Sequence, residues 1–305
     1  MSGARTDVTP VSAGTVVGRG REVELLEAAL ASGAHVVLEG PPGTGKSTLL
    51  RRVAADREST FVLVEGNAEL TPARLVGHFD PALVLERGYR PEVFVDGPLL
   101  EAMRDGGLLY VEELNRVPEE TLNVLLTVMS EGDLNVPRLG RIPATEGFRL
   151  VAAMNPYDTV GTARISGAIH DRTCRLVMGY QSAEDEVTIT ELQAAPCVPG
   201  RRAAVVRLVR ATRSHPDIRV GSSVRGAIDI VGVSTELARR RGVEASDWQV
   251  GLDAALVALS GRIRLSESCT RTPEEIVTEL YVREFGTKDA PKGEDPEDGG
   301  GPGEA

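Results

Sequence analysis

Residues 40–47, GPPGTGKS, constrain the fold of this chain more than any other segment, because they fit the pattern G-x-x-x-x-G-K-[ST]. The segment before them, HVVLEG, is apolar and β-branched like a strand, and the segment after them, STLLRRVAA, has apolar residues at helical spacing. A glycine-rich loop between a strand and a helix turns backbone N–H groups toward a phosphate, and the helix N-terminus adds its positive dipole. The segment is therefore predicted to bind the phosphates of a nucleotide.

The positions of this phosphate loop have expected roles. Lys46 should reach the β and γ phosphates, and Ser47 should offer its hydroxyl to magnesium. Lysine occurs elsewhere only at 288 and 292, so that Lys46 is the one lysine in the part of the chain predicted to fold. The residues expected to contact the nucleotide are Gly40, Pro41, Pro42, Gly43, Thr44, Gly45, Lys46, Ser47 and Thr48. ATP and Mg²⁺ are the expected cofactors.

A second segment, LLYVEELNR at 108–116, is an apolar run that ends in two adjacent carboxylates, Glu112 and Glu113. Open α/β sheets bind ligands at the carboxyl ends of their strands, where these acids would lie. Taken alone, the pair could simply begin a solvated turn, but the phosphate loop favours a catalytic interpretation. We predict that Glu112 binds magnesium and that Glu113 polarises the attacking water, because hydrolysis of a γ-phosphate needs positioning and charge stabilisation.

Strand and helix patterns alternate up to about residue 183 and give way to helices alone beyond it. The alternation predicts an α/β fold, a parallel sheet sandwiched between helices, followed by a C-terminal all-helical domain. The predicted boundaries are a flexible N-terminus at 1–15, a nucleotide-binding domain at 16–183, a helical domain at 184–285 and a tail at 286–305. The tail is rich in Gly, Pro and acidic residues and is expected to be disordered.

Composition excludes several classes of protein. No stretch approaches the roughly 18 consecutive apolar residues of a spanning helix, and the first residues lack the plan of a signal peptide, so the chain is expected to be cytoplasmic. A net charge of -11 argues against a surface that collects phosphate backbones. The three cysteines, Cys174, Cys197 and Cys269, are far apart; they are expected to be packing residues rather than disulfide or zinc ligands.

The motifs, taken in order, resemble those of the AAA+ ATPases, and within them the MoxR group with its CbbQ-like and NorQ-like proteins. The resemblance covers about residues 16–285. It rests on VGRGREVELLEAAL, LEGPPGTGKS, ELTPARLVGHFDP, GPLLEAMRDGGLLYVEELNRVPEETLNVLLTVMSEG, VAAMNPYDTVGTARISGAIHDR and VGSSVRGA. It implies an ATP-driven remodelling enzyme that works as a ring, usually a hexamer, on a partner protein or enzyme complex, in maturation, metal insertion or activation. Such ATPases often act beside a protein with a von Willebrand factor A domain.

The resemblance also implies roles for three further residues. Asn155 falls at the sensor 1 position, where an amide orients the attacking water or touches the γ-phosphate. Arg172 matches the arginine finger that is supplied to a neighbouring subunit, and Arg225 matches sensor 2, an arginine of the helical lid domain. The chain departs from the family pattern at Glu112, where the usual residue is Asp.

Two turn-rich segments, 67–98 and 132–147, interrupt the predicted core. In the family such segments form loops and hairpins that face the ring pore or a partner; ordinary surface loops are the alternative.

Two other functions remain open at this stage. The phosphate loop also suits a small-molecule kinase, which would need an acceptor pocket and would work as a monomer. A nucleic-acid motor is the third possibility, and the acidic composition opposes it.

Overall fold

The computed structural model describes residues 15–156, 167–194 and 200–288. The chain divides into two compact units, with the division between Ser182 and Ala183. The predicted flexible N-terminus and the predicted disordered tail lie almost entirely outside the described residues.

The first unit contains the alternating helices and strands. In chain order these are α1 (Gly20–Ala31), β1 (His35–Glu39), α2 (Lys46–Asp56), β2 (Phe61–Glu65), α3 (Pro72–Val76), β3 (Gly77–Phe79), α4 (Pro81–Arg87), β4 (Phe94–Asp96), α5 (Pro98–Asp105), β5 (Leu108–Glu112), α6 (Glu119–Glu131), β6 (Asp133–Val136), β7 (Gly140–Pro143), β8 (Arg149–Met154), α7 (Gly167–Asp171) and β9 (Thr173–Val177).

Within the described residues, the main sheet has five parallel strands in the order β2-β5-β8-β1-β9. Parallel strands place all their carboxyl ends at one edge, so that the loop after β1 and the residues after β5 and β8 lie at the same edge. The amide of Gly40 donates to the carbonyl of Met154 at 3.2 Å, which continues the pairing of β1 with β8 into the phosphate loop. The predicted parallel sheet is confirmed.

Helices cover both faces of this sheet, because successive strand residues point to opposite sides. One buried cluster joins strand residues to α3, α5 and α6; its members include Val37, Leu109, Val111, Leu150, Leu75, Leu100 and Leu125. The other joins the opposite strand face to α1 and α2; its members include Val36, Leu38, Tyr110, Val151, Leu26, Leu30, Leu49 and Leu50.

The two turn-rich segments form additional elements on this framework. Residues 67–98 contain α3, α4 and the antiparallel pair β3–β4, and residues 132–147 contain the hairpin β6–β7. The guanidinium carbon of Arg138, on the turn between β6 and β7, lies 3.5 Å from the ring centre of Tyr89. The two segments therefore contact each other through a cation–π interaction.

The second unit is largely helical, as predicted. It contains α8 (Ala183–Gln193), α9 (Arg201–Ala211), β10 (Ile218–Val220), α10 (Val224–Arg241), α11 (Trp248–Leu259), β11 (Arg264–Leu265) and α12 (Pro273–Phe285). The small antiparallel pair β10–β11 departs from the all-helical prediction. Its strands have three and two residues, too few to give a recognisable alternation in the sequence.

Candidate nucleotide-binding site

The phosphate loop connects β1 to α2 through glycines in the left-handed region. Gly43 has φ 74° and Gly45 has φ 86°, a conformation that is costly for any residue with a Cβ. Gly45 is the residue immediately before α2, so the helix begins at Lys46. The motif therefore has the strand–loop–helix context that the sequence predicts.

Hydrogen bonds within the loop hold its shape. The ammonium of Lys46 donates to the carbonyl oxygens of Gly40 at 2.8 Å and Pro41 at 2.9 Å. The hydroxyl of Thr44, which is fully buried, donates to the carbonyl of Pro41 at 3.0 Å. Lys46 thus lies across the loop, with its charge beside the backbone that is expected to hold phosphates.

The hydroxyl of Ser47 donates a hydrogen bond to the carboxylate of Glu112 at the end of β5. Both residues were predicted as magnesium ligands, and the structure brings them together. Tyr110 lies on the same face of β5 as Glu112, with its hydroxyl oxygen 3.4 Å from the hydroxyl oxygen of Ser47. Burial raises the pKa of Tyr110 well above its ordinary value, so its hydroxyl remains protonated beside the carboxylate.

Glu113 follows β5 in a left-handed backbone conformation, with φ 50° and ψ 43°. Its carboxylate oxygen Oε2 lies 2.8 Å from the Nη1 of Arg116, and about two-fifths of each side chain is exposed. Gly66, directly after β2, packs against this turn and donates its amide to the carbonyl of Glu112 at 2.8 Å. A Cβ at position 66 would lie 2.6 Å from the carbonyl oxygen of Glu113, so the close approach requires glycine.

Asn155 follows β8 directly and is partly buried. The hydrogen bond between Gly40 and Met154 places the start of the phosphate loop beside the residue that precedes Asn155. Asn155 therefore lies at the same edge of the sheet as the loop, where the proposed sensor is expected.

The two predicted arginines lie in different units. Arg172 precedes β9; its Nη1 donates to the carbonyl of Ala168 at 3.1 Å and its Nε donates to the hydroxyl of Ser130 on α6. Its side chain is 37% exposed, so the guanidinium is held at the surface of the first unit. Arg225 is exposed on the first turn of α10, between the buried residues Val224 and Gly226.

Comparisons with known proteins agree with this geometry. Residues 35–173 match the family model of the AAA domain, dynein-related subfamily. The chain is 30% identical over 206 residues to the gas vesicle ATPase GvpN of Haloferax mediterranei, a match that covers 62% of this chain and 59% of the relative. It is 28% identical over 245 residues to the uncharacterized protein YeaC of Bacillus subtilis, which covers 71% of this chain and 73% of the relative. The chain is therefore similar to proteins that contain an AAA domain, in agreement with the resemblance of its sequence motifs.

A solved structure shares the fold of this chain. The structure of NtrX from Brucella abortus in complex with ADP superimposes with a TM-score of 0.53 and 20% sequence identity, covering 74% of this chain and 52% of NtrX. At that identity the likeness concerns the fold alone. The chain also spans only about three-fifths of the length of the gas vesicle ATPases that it matches.

The oxygen donors of this site fit Mg²⁺. Ser47 and Glu112 offer a hydroxyl and a carboxylate from two different elements, within hydrogen-bonding reach of each other. Magnesium prefers oxygen ligands and is usually held by one or two protein groups together with phosphates and water. These two residues are the ones that would hold the ion.

Two buried charged residues of this site were missed in the sequence. Arg19, only 5% exposed, donates to the carbonyls of Thr44 at 3.0 Å and Gly179 at 2.6 Å, which ties the start of α1 to the phosphate loop. Glu39, 3% exposed, directly precedes the loop and accepts from Nε of Arg175 on β9 at 2.6 Å. Glu39 could have been recognised in the sequence, because it is an acidic residue at the end of a predicted buried strand.

One prediction about the cysteines is wrong. Cys174 lies on β9, the edge strand of the sheet, and is exposed. Cys269 is partly buried against the core of the helical unit, and Cys197 lies outside the described residues. Among the residues that the structure describes, none of the helices combines the length and the apolar character needed to span a bilayer.

Proposed function

We propose that this chain binds ATP with Mg²⁺ and hydrolyses it to ADP and phosphate. The observation that carries the proposal is the hydrogen bond from Ser47 to Glu112, which joins the phosphate loop to the strand end that bears Glu113. It is the arrangement needed to hold a nucleotide and its metal beside a carboxylate. The ATPase names of the gas vesicle relatives support the same activity.

The proposed reaction assigns one task to each residue. Lys46 and the loop amides balance the charge of the β and γ phosphates, and Asn155 orients the attacking water. Glu113 accepts a proton from that water while the water oxygen bonds to the γ-phosphorus. At the same time the bond between the γ-phosphorus and the oxygen of the β-phosphate breaks. Magnesium, when bound at Ser47 and Glu112, would neutralise charge on the phosphate oxygens.

We also propose that the protein acts as a ring of subunits, a hexamer as is usual for such ATPases. AAA+ ATPases generally assemble in this way. The surface position of Arg172, held by Ser130 and Ala168, suits a guanidinium presented to the nucleotide of a neighbouring subunit. Arg225 would reach the nucleotide of its own subunit from the helical unit. A planar guanidinium fork suits the spread charge of transferring phosphoryl oxygens.

The proposed role is remodelling of a partner protein or enzyme complex, as in maturation, metal insertion or activation, in the cytoplasm. A protein with a von Willebrand factor A domain is the proposed type of partner, and segments 67–98 and 132–147 are the proposed surfaces facing the pore or that partner. Their contact through Arg138 and Tyr89 would make the two segments act together.

The nucleotide proposal is tested by calorimetry and phosphate release on the purified chain. Lys46→Ala should abolish ATP binding, because it removes the positive charge beside the loop carbonyls that balances the β and γ phosphates. Lys288→Ala, in an exposed position, is the matched control and should bind ATP normally. Turnover per subunit should rise with protein concentration as rings form. Unchanged ATP affinity in Lys46→Ala would contradict the proposal, and concentration-independent turnover would favour a monomeric kinase-like enzyme.

A further inference from the structure

Glu113 and Arg116 occupy the two ends of one tight turn. The three residues Leu114–Arg116 form a single turn of 3₁₀ helix, and the amide of Arg116 donates to the carbonyl of Glu113 at 2.8 Å. The two side chains meet across this turn, with Nη1 of Arg116 2.8 Å from Oε2 of Glu113.

The backbone of this turn is fixed from both sides. Leu114 and Val117 are each 1% exposed and belong to the core of the first unit. On the other side Gly66 contacts the carbonyls of Glu112 and Glu113 so closely that no Cβ fits between them. The main freedom left to Glu113 is rotation of its side chain, which is two-fifths exposed.

We propose that Arg116 is a positioning residue for the reaction. Its Nη1 holds Oε2 of Glu113, which leaves Oε1 to accept the proton of the attacking water. A glutamate without this partner would divide its time among several rotamers, of which only some face the water. This inference rests on the proposed hydrolysis and adds to it the group that orients the proposed base.

The size of the effect follows from the exposure of the pair. Exposed ion pairs stabilise the paired arrangement by about 0.2–1 kcal/mol. For Glu113 this corresponds to at most about a fivefold change in the population of the rotamer that contacts Arg116. Arg116→Ala should therefore lower kcat about two- to fivefold and leave the KM for ATP unchanged, since Arg116 orients the base rather than the nucleotide. Arg116→Lys should recover most of the loss, because an ammonium can also pair with the carboxylate.

Ionic strength separates this role from a purely structural one. Salt screens a half-exposed pair, so the ratio of kcat between the parent and Arg116→Ala should shrink toward one as salt is raised. A damaged turn would keep its deficit at high salt. Arg239→Ala is the matched control, because Arg239 pairs with Glu236 at the same i,i+3 spacing in the helical unit; it should match the parent throughout.

The experiment compares steady-state turnover of the four proteins at equal oligomeric state, checked by size-exclusion chromatography. An Arg116→Ala enzyme with the parent kcat, with a raised kcat, with an altered KM, or with no Lys rescue would overturn the inference. Glu113→Gln is assayed beside them to keep the two claims separate. If the parent hydrolyses ATP and Glu113→Gln does not, while Arg116→Ala equals the parent, only the role of Arg116 fails; an inactive parent would contradict the proposed function itself.

Discussion

The hydroxyl of Ser47 and the carboxylate of Glu112 are joined by a hydrogen bond between the first turn of α2 and the end of β5. These elements are not neighbours in sequence, and β5 is separated from β1 by β8 in the sheet. Their contact joins the phosphate loop to the strand that carries the paired glutamates. The pair therefore defines where a magnesium ion would be held.

Shortening Glu112 tests how it serves the metal. Mg²⁺ requires near-octahedral oxygens at about 2.0–2.1 Å and gives up water reluctantly, so we expect Glu112 to act through a water. Glu112→Asp should be tolerated, whereas Glu112→Ala should raise the magnesium concentration needed for ATP binding by roughly tenfold, as for other indirect metal partners. Magnesium titrations of ATP binding measure this. An Ala variant with the parent magnesium dependence would remove Glu112 from the site.

Gly66→Ala should disturb the turn that carries Glu113. The added Cβ would lie 2.6 Å from the carbonyl oxygen of Glu113 and 2.7 Å from that of Glu112, so backbone must shift. Overpacking of this kind costs about 1–3 kcal/mol of the free energy of unfolding, measurable by urea denaturation. Gly232→Ala, on a helix where a Cβ meets nothing within 4 Å, is the control and should be neutral or stabilising. Equal stability of Gly66→Ala and the parent would refute the close contact.

His35 should make the protein less stable in mild acid. Burial, and then the charge of Arg149, lower the pKa of His35 from 6.5 to about 4, and its Nδ1 accepts a hydrogen bond from the amide of Leu150 at 2.9 Å. Between pH 6.5 and about 4 the unfolded chain binds a proton that the folded chain does not, so stability falls as pH falls, by up to about 1.4 kcal/mol per pH unit.

The measurement for His35 is the urea midpoint from pH 7.5 to 4.5 in the parent and in His35→Gln. The Gln variant lacks the titrating group and should show a shallower decline across this range. Parallel pH profiles for the two proteins would show that His35 does not contribute to acid sensitivity.

Arg172→Ala should leave the ATP affinity of an isolated subunit nearly unchanged while suppressing turnover, because the proposed finger acts across an interface. Arginine fingers contribute about 10³- to 10⁵-fold in rate. Mixing Arg172→Ala with Lys46→Ala subunits should restore some turnover wherever an intact nucleotide site meets an intact finger. If mixed rings form and no ratio restores activity, Arg172 does not act in trans.

Local patterns were enough to predict most helices and strands. The start of α12 has a local cause, because Thr272 and Glu275 form a capping box and Pro273 begins the helix. The strands that flank the phosphate loop and the paired glutamates were likewise evident, since buried apolar runs end abruptly in glycine or acid. These signals lie within a few residues of each other in the chain.

The remaining features depend on contacts between distant segments. The insertion of β8 between β1 and β5 brings Asn155 to the phosphate loop, and no local pattern specifies that order. The contact of Arg19 with Gly179 joins residues 160 positions apart. Arg116, in contrast, is close to Glu113 in the chain, and the Glu-x-x-Arg spacing directly after the strand was visible in the sequence. Only the structure, with its 3₁₀ turn, shows that the two side chains pair.

The central claim is that Glu113 activates water at a nucleotide held by the phosphate loop, and one variant tests it most directly. Glu113→Gln preserves the shape of the side chain but removes its ability to accept a proton, an effect worth about 10²- to 10⁴-fold for general bases. ATP affinity and single-turnover hydrolysis should be measured on the same preparation. We expect ATP to bind with the parent affinity and to remain unhydrolysed on the time scale of parent turnover. Hydrolysis at the parent rate, or a trapped ATP state in Glu112→Gln instead, would contradict the account.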